Sequence, residues 1–431
     1  MVSAVPVSLQ QPTATRGETV PTVFRCCLIF HLILFALTFN AFGVETGSPK
    51  AEAVPADSRH TPTATFDCNR GPWGDLEYVR ITLEPPDHYA LESLDYVKGT
   101  HWFFKDHSRE RLTNYFKSLT MEPSQMDSLL RAEWRQTTNG IWVTPGEDLV
   151  LRMDKDVRTK LYALLASFDE NGFCHTPFVF RSEMLTERFS HSGLSEKTID
   201  AVKSLMYPKG SLVAFSDIAA VMSMIHDPQE KIHLVKVLSR KSTLMLRLKL
   251  TEKSDVPHLL EYWGAGGRAK DLKPLLESLT RVDGGWEIDV AHLLPPFARK
   301  RLYTYPSPAK NQTGPSDNCH WTSFNFFSDP TDDRFRDSRQ VQKAIDEDYD
   351  VVTGDKHFGD VVLLMDSANS ILHSAVHIAD DIVFTKTGGR ENQPWILMKT
   401  DDMLPLYASA NQSLKMVVCR KKPLQESPSV H

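Results

Sequence analysis

The sequence predicts an α+β protein, and three observations carry that expectation. Leu244, Leu246, Leu248 and Leu250 alternate with Met245, Arg247 and Lys249, which sends every second side chain of a strand into a core. Val157, Leu161, Leu164, Leu165 and Phe168 recur at three and four, the spacing of an amphipathic helix. Beyond residue 360, strand-like apolar runs follow one another, with Asp380-Asp381 placed as a turn between two of them. With 431 residues and 41% hydrophobic content, the chain is long enough for two or three folded units. A net charge of −6 and no long basic run argue against a nucleic-acid partner.

In chain order, a polar leader with Arg16 and Arg25 precedes the apolar stretch 26–39, which His31 interrupts. This predicts a secretory signal peptide over 1–43, with Ala41-Phe42-Gly43 supplying small residues for cleavage and a secreted, periplasmic or cell-envelope location. An uncleaved anchor is the alternative, and would be the chain's contact with a membrane. Residues 44–66, rich in Pro, Ala, Thr and Glu, read as a disordered linker. Residues 67–292 read as a mixed, largely helical N-terminal region, possibly of two parts. Val79, Ile81 and Leu83 alternate there, and amphipathic stretches cover 109–119 and 125–135. Ser195 and Ser216 are expected N-caps, and helices are expected near 256–263 and 271–279. Gly264-Ala265-Gly266-Gly267 lacks the downstream Gly-Lys-Ser of a phosphate loop and reads as a turn. The last unit spans 293–420, and 421–431 is expected to be a disordered tail.

The chemistry concentrates in that last unit. Cys319 lies in Asp317-Asn318-Cys319-His320-Trp321, where Asp317 and Asn318 are good N-cap residues and the aromatic positions after them suggest a helix. A thiol at a helix start faces unpaired N–H groups and partial positive charge, which favour the nucleophilic thiolate. Gly359-Asp360 then precedes the apolar run 361–364, and a strand-like segment carries His373 and His377. The two histidines are four residues apart, so on a strand they share a face and either can serve as the base. His320, one helical step from the cysteine, is expected to point elsewhere.

These residues resemble the NlpC-type cysteine peptidases, relatives of papain, over roughly 300–410. Asp317-Asn318-Cys319-His320-Trp321 stands where the family has Asp-Cys-Ser-Gly, and Gly359-Asp360 with its strand matches the family's Gly-Asp. His373-Ser374-Ala375-Val376-His377 resembles the family's His-x-Gly-Ile-Tyr hairpin. The resemblance implies a papain-like C-terminal domain in which Cys319 is the nucleophile and His373 the base. It places the third catalytic residue at or beside Thr385, with Lys386, Asn392 and Gln393 as neighbours in sequence. It also implies an upstream tyrosine near the substrate, Tyr305 or Tyr303. Trp321 and Trp395 are candidates to line a cleft, with buried packing as the favoured reading of either. Cell-wall (peptidoglycan) peptides or another peptide or amide substrate, and no cofactor, follow from the same resemblance. The bulky His320 and Trp321 keep a second expectation open, a non-catalytic envelope scaffold with a remodelled fold.

Metal binding is not expected, because the sixteen histidines are scattered and His373/His377 are not spaced on a helix face. In an oxidising compartment a free nucleophile leaves Cys68–Cys174 as the simplest disulfide, with Cys319–Cys419 as the rival that would abolish catalysis.

Overall fold

The computed structural model describes residues 64–307, 316–408 and 413–423, and within them the fold is α+β. The expected signal segment and its cleavage site lie outside the described residues. Thr65–Asp67 (β1) pairs with Asp75–Leu83 (β2), so the last two residues assigned to the linker belong to a strand. Trp102–Lys105 (β3), Glu133–Thr137 (β4) and Gly140–Thr144 (β5) form a three-stranded sheet in the order β3-β5-β4. The amphipathic stretch expected over 125–135 is thus a helix only at Pro123–Arg131, with β4 taking the remainder. Phe178–Phe180 (β6), Tyr207–Lys209 (β7) and Leu212–Phe215 (β8) form a second small sheet, in the order β6-β8-β7.

Ser195 caps its helix by accepting from Thr198 N, as the sequence predicts. Ser216 does not. The next helix starts after Asp217, and the Ser216 hydroxyl pairs with Tyr207 at 2.8 Å. Asp217 is drawn inward by Arg158 and Tyr162, a fully buried cluster in which the guanidinium also donates to Val150 O and Met153 O. A buried charge persists only where partners replace its water, and here they do.

The alternating leucines form Lys241–Leu250 (β9), which pairs along its length with β2 and on its other side with Trp286–Asp289 (β10). Tyr349–Val351 (β11), Val361–Met365 (β12), Ile371–Ala379 (β13), Ile382–Lys386 (β14), Trp395–Lys399 (β15) and Lys415–Lys421 (β16) build a six-stranded antiparallel sheet in the order β11-β16-β12-β13-β14-β15. One apolar core runs from Leu76 and Leu244–Leu250 through Trp263 and Phe297 to Leu363, Ile378 and Phe384. Thr243 joins the two larger sheets, its buried hydroxyl donating to Leu397 O at 2.9 Å and accepting from Leu397 N at 3.0 Å. The boundary read at 292/293 therefore falls inside a shared core.

Gly359 and Asp360 orient the strand that neighbours the site. Gly359 has φ +94°, and a Cβ there would run into the Phe327 ring, so backbone and packing both require glycine. Asp360, 3% exposed, accepts from His357 N (2.7 Å) and from Arg420 Nε and Nη2 (2.8 and 2.7 Å), which fixes β12 to β16. Asp360→Ala strands a guanidinium and an amide. It is expected to lower stability by about 3 kcal/mol, seen as a lower urea midpoint at unchanged slope.

Candidate active site

Asn318 starts the helix Cys319–Phe324 from an extended conformation, and its Oδ1 accepts from Trp321 N at 2.9 Å. The helix is one and a half turns long. Asn325 ends it, with a carboxamide that donates to Trp321 O and Asp332 O and accepts from Asp332 N. All six helical residues are buried, and Cys319 itself is 8% exposed.

The opposing wall is the β13/β14 hairpin. Backbone pairing between the two strands ends at Val376–Phe384. Beyond that point the Ser374 amide turns to the Cys319 sulfur, joined there by the amides of His320 and Cys319, while the Ser374 carbonyl accepts from Thr385 Oγ1 at 3.2 Å. The Ser374 side chain meets His320, with Nδ1 3.0 Å from its hydroxyl. His320 therefore faces β13, contrary to the sequence expectation.

His373 projects from the other face of the sheet. It sits opposite Leu364 in register, in the layer that holds Met403 and Tyr407 of the helix Thr400–Tyr407. Tyr407 stacks on its ring, centroids 4.4 Å apart and planes at 20°. His373 Nε2 lies 3.0 Å from Thr385 Oγ1, and Nδ1 is buried without a partner. The threonine proton is already committed to the Ser374 carbonyl, which can only accept. Thr385 Oγ1 must then accept from Nε2–H, which leaves the lone pair on Nδ1. Thr385 thus sets the tautomer of the imidazole. No hydrogen bond joins Cys319 to His373 in this closed arrangement.

Burial dominates the electrostatics. It pushes the Cys319 thiol up, and the three amides and the Lys386 ammonium only partly offset it. The lowered thiol pKa expected of a helix start is overturned because desolvation outweighs a six-residue helix. Burial likewise holds His373 down to about 3 and His320 to about 4.

Other expected residues lie elsewhere. Tyr305 is not beside the thiol: its hydroxyl donates to Leu83 O at 3.2 Å, near Glu84 and Arg188. Tyr303 donates to Leu244 O at 2.8 Å. Trp321 lines no cleft, because it packs in the core against Phe297 and donates to Asp333 Oδ1 at 3.1 Å. Trp395 is buried and donates to Thr322 Oγ1 at 3.0 Å. His377 sits with Trp73, Lys356, His357, Asp360 and Asp380, away from the cysteine helix. All four described cysteines are free, so neither expected disulfide forms; Cys68 packs on the core of the larger sheets and Cys174 in that of the β3–β5 sheet. Sequence reasoning missed Tyr407 and Ser374, for which no local pattern exists.

Among the described residues no His, Cys, Asp or Glu group of three or more is arranged to hold a metal, and no helix is long and apolar enough to cross a membrane. Comparison with family models, curated proteins and solved structures finds no match for this chain.

Three buried imidazoles make stability depend on pH. His320, His373 and His377 are held at about 4, 3 and 3, below their ordinary 6.5, so the unfolded chain binds more protons than the folded one across that interval. Their contribution is complete above pH 6.5 and is lost as the pH falls toward 3, at about 1.4 kcal/mol per pH unit for each histidine. Denaturant titrations between pH 5 and 6.5 are expected to show this slope, and His377→Phe to reduce it by one histidine's share.

Proposed function

We propose that the chain is an exported cysteine hydrolase that cleaves amide bonds, with a papain-like C-terminal domain of the NlpC type and cell-wall peptides as its substrate class. The observation that carries this reading is the Thr385 hydroxyl, set between His373 Nε2 at 3.0 Å and the Ser374 carbonyl at 3.2 Å. A hydroxyl that accepts from Nε2–H leaves Nδ1 unpartnered with its lone pair free, and burial, which lowers this imidazole to about 3, must be relieved by opening before it can act as a base. A base of that form is what a thiol nucleophile requires.

In the proposed reaction His373 Nδ1 takes the thiol proton as the Cys319 sulfur attacks the amide carbonyl. In this reading the amides of His320 and Ser374 donate to the oxyanion. The C–N bond breaks as the imidazolium returns its proton to the leaving amine. Water, deprotonated by the same Nδ1, then hydrolyses the thioester and releases the acid and the thiol. Opening of the closed site precedes attack, because the thiol is 8% exposed.

That same burial, with His320 and Trp321 filling the space beside the cysteine, favours the second reading of a non-catalytic envelope scaffold. Digestion of purified wall peptides separates the two. Wild type is expected to release new amino termini, Cys319→Ala to release none, and Thr385→Val to lose at least about tenfold in kcat. Thr385→Ser, which keeps the hydroxyl, is expected to recover most of that loss. Equal digestion by wild type and Cys319→Ala would remove the hydrolase reading.

A further inference from the structure

The helix Thr400–Tyr407 covers His373, and different contacts hold its two ends. At the C-terminal end Tyr407 lies on the imidazole, with centroids 4.4 Å apart. Met403 seats the middle of the helix in the apolar layer of Val362, Leu364 and Val383. At the N-terminal end Thr400 N donates to Asp381 O at 2.8 Å, and charge takes over from there. Arg80 Nη1, from β2, reaches Asp402 Oδ2 at 2.8 Å, and Arg181 Nη1, from the residue after β6, reaches Oδ1 of the same carboxylate. Glu183 orients Arg181 in turn, with Nε 2.6 Å from Oε1.

This cluster differs from an ordinary surface ion pair in two ways. The Asp402 side chain is 11% exposed, so water screens its two contacts less than it screens a pair in open solvent. The two arginines also come from separate sheets, Arg80 from β1-β2-β9-β10 and Arg181 from the end of a strand of β6-β8-β7. One carboxylate therefore fastens the cover of the candidate site to two parts of the N-terminal region. A second tie runs close by in sequence, where Arg390 Nη2 donates to Thr176 Oγ1 at 2.9 Å. The Arg181 side chain is 42% exposed, which leaves the outer half of the cluster open to salt.

We propose that Asp402, clamped by Arg80 and Arg181, is a latch that keeps the helix Thr400–Tyr407 closed over His373, so that the N-terminal region controls access to the imidazole. Breaking the two ion pairs frees the first turn of the helix, and Tyr407 leaves the ring as the helix lifts. As regulation of the proposed hydrolase the latch rests on His373 being its base, yet access to the ring is measured without any substrate.

The test is the rate at which diethyl pyrocarbonate carbethoxylates His373 in the full chain at pH 7, read by peptide mass spectrometry beside His320 and His377. All three imidazoles are buried and neutral at that pH, so the rate reports access. Only His373 stacks under this helix, and the other two histidines report general loosening of the fold. Asp402→Asn, Arg181→Gln and wild type in about 1 M sodium chloride are each expected to speed His373 at least about fivefold, with His320 and His377 changed less than about twofold. Equal acceleration of all three histidines overturns the proposal, as does a folded Asp402→Asn protein with the wild-type His373 rate. Should Asp402→Asn not fold, Arg181→Gln and the salt dependence of wild type decide, and a His373 rate unchanged by both overturns the proposal equally. Selective acceleration of His373 together with intact wall peptides would remove the hydrolase reading and leave the latch standing.

Discussion

The end of the β13/β14 ladder at Val376–Phe384 is the constraint on which the candidate site depends. Had pairing continued, Ser374 would have spent its amide and carbonyl on β14. Instead the amide is free for the Cys319 sulfur and the carbonyl for the Thr385 hydroxyl. One interrupted strand pair thus seats the thiol and, through Thr385, decides which imidazole nitrogen of His373 carries the proton. Buried backbone groups must find partners, and the Thr385 hydroxyl supplies one for the Ser374 carbonyl.

Around this gap the protein excludes water and keeps its titratable groups neutral. Tyr407 covers His373 from one face, His320 meets Ser374 on the other, and the 387–394 connection between β14 and β15 packs at Gly389 against Ser316 and Asn318. Desolvation acts on every group at once: it raises the thiol and lowers the imidazoles, so the thiol is held protonated and the imidazoles neutral. In a papain-like hydrolase of the kind proposed, that is not a preformed ion pair, and contact between thiol and imidazole has to follow opening of the site.

Much of the local structure was legible in the sequence. Asn318 as a cap, the Gly359-Asp360 turn, the hairpin at Asp380-Asp381 and the alternating leucines of β9 are short-range signals, and each governs backbone within a few residues of itself. Thr385 was one of several positions that only the resemblance pointed to, and its contact with His373 needed the Ser374 carbonyl to be seen. Tyr305 was misplaced because its partner Leu83 is brought to it only by tertiary packing, and Trp321 takes the packed of its two expected places, against Phe297. The disulfides failed for the same reason, since Cys68 and Cys174 enter different cores. Tyr407 carried no signal, and Lys386, visible only as a lysine closing an apolar strand, gains its meaning from carbonyls two and four residues on.

The pairing of a Cys319 nucleophile with a His373 base is tested most directly by trapping the covalent intermediate. An acid-quenched reaction with an activated peptide ester, read by intact mass and peptide mapping, is predicted to show one acyl group on Cys319. That acyl group is predicted to persist longer in His373→Ala, where the base that activates water is gone. An adduct distributed over other nucleophiles, or an acyl-Cys319 that turns over at the same rate with and without His373, would contradict the account.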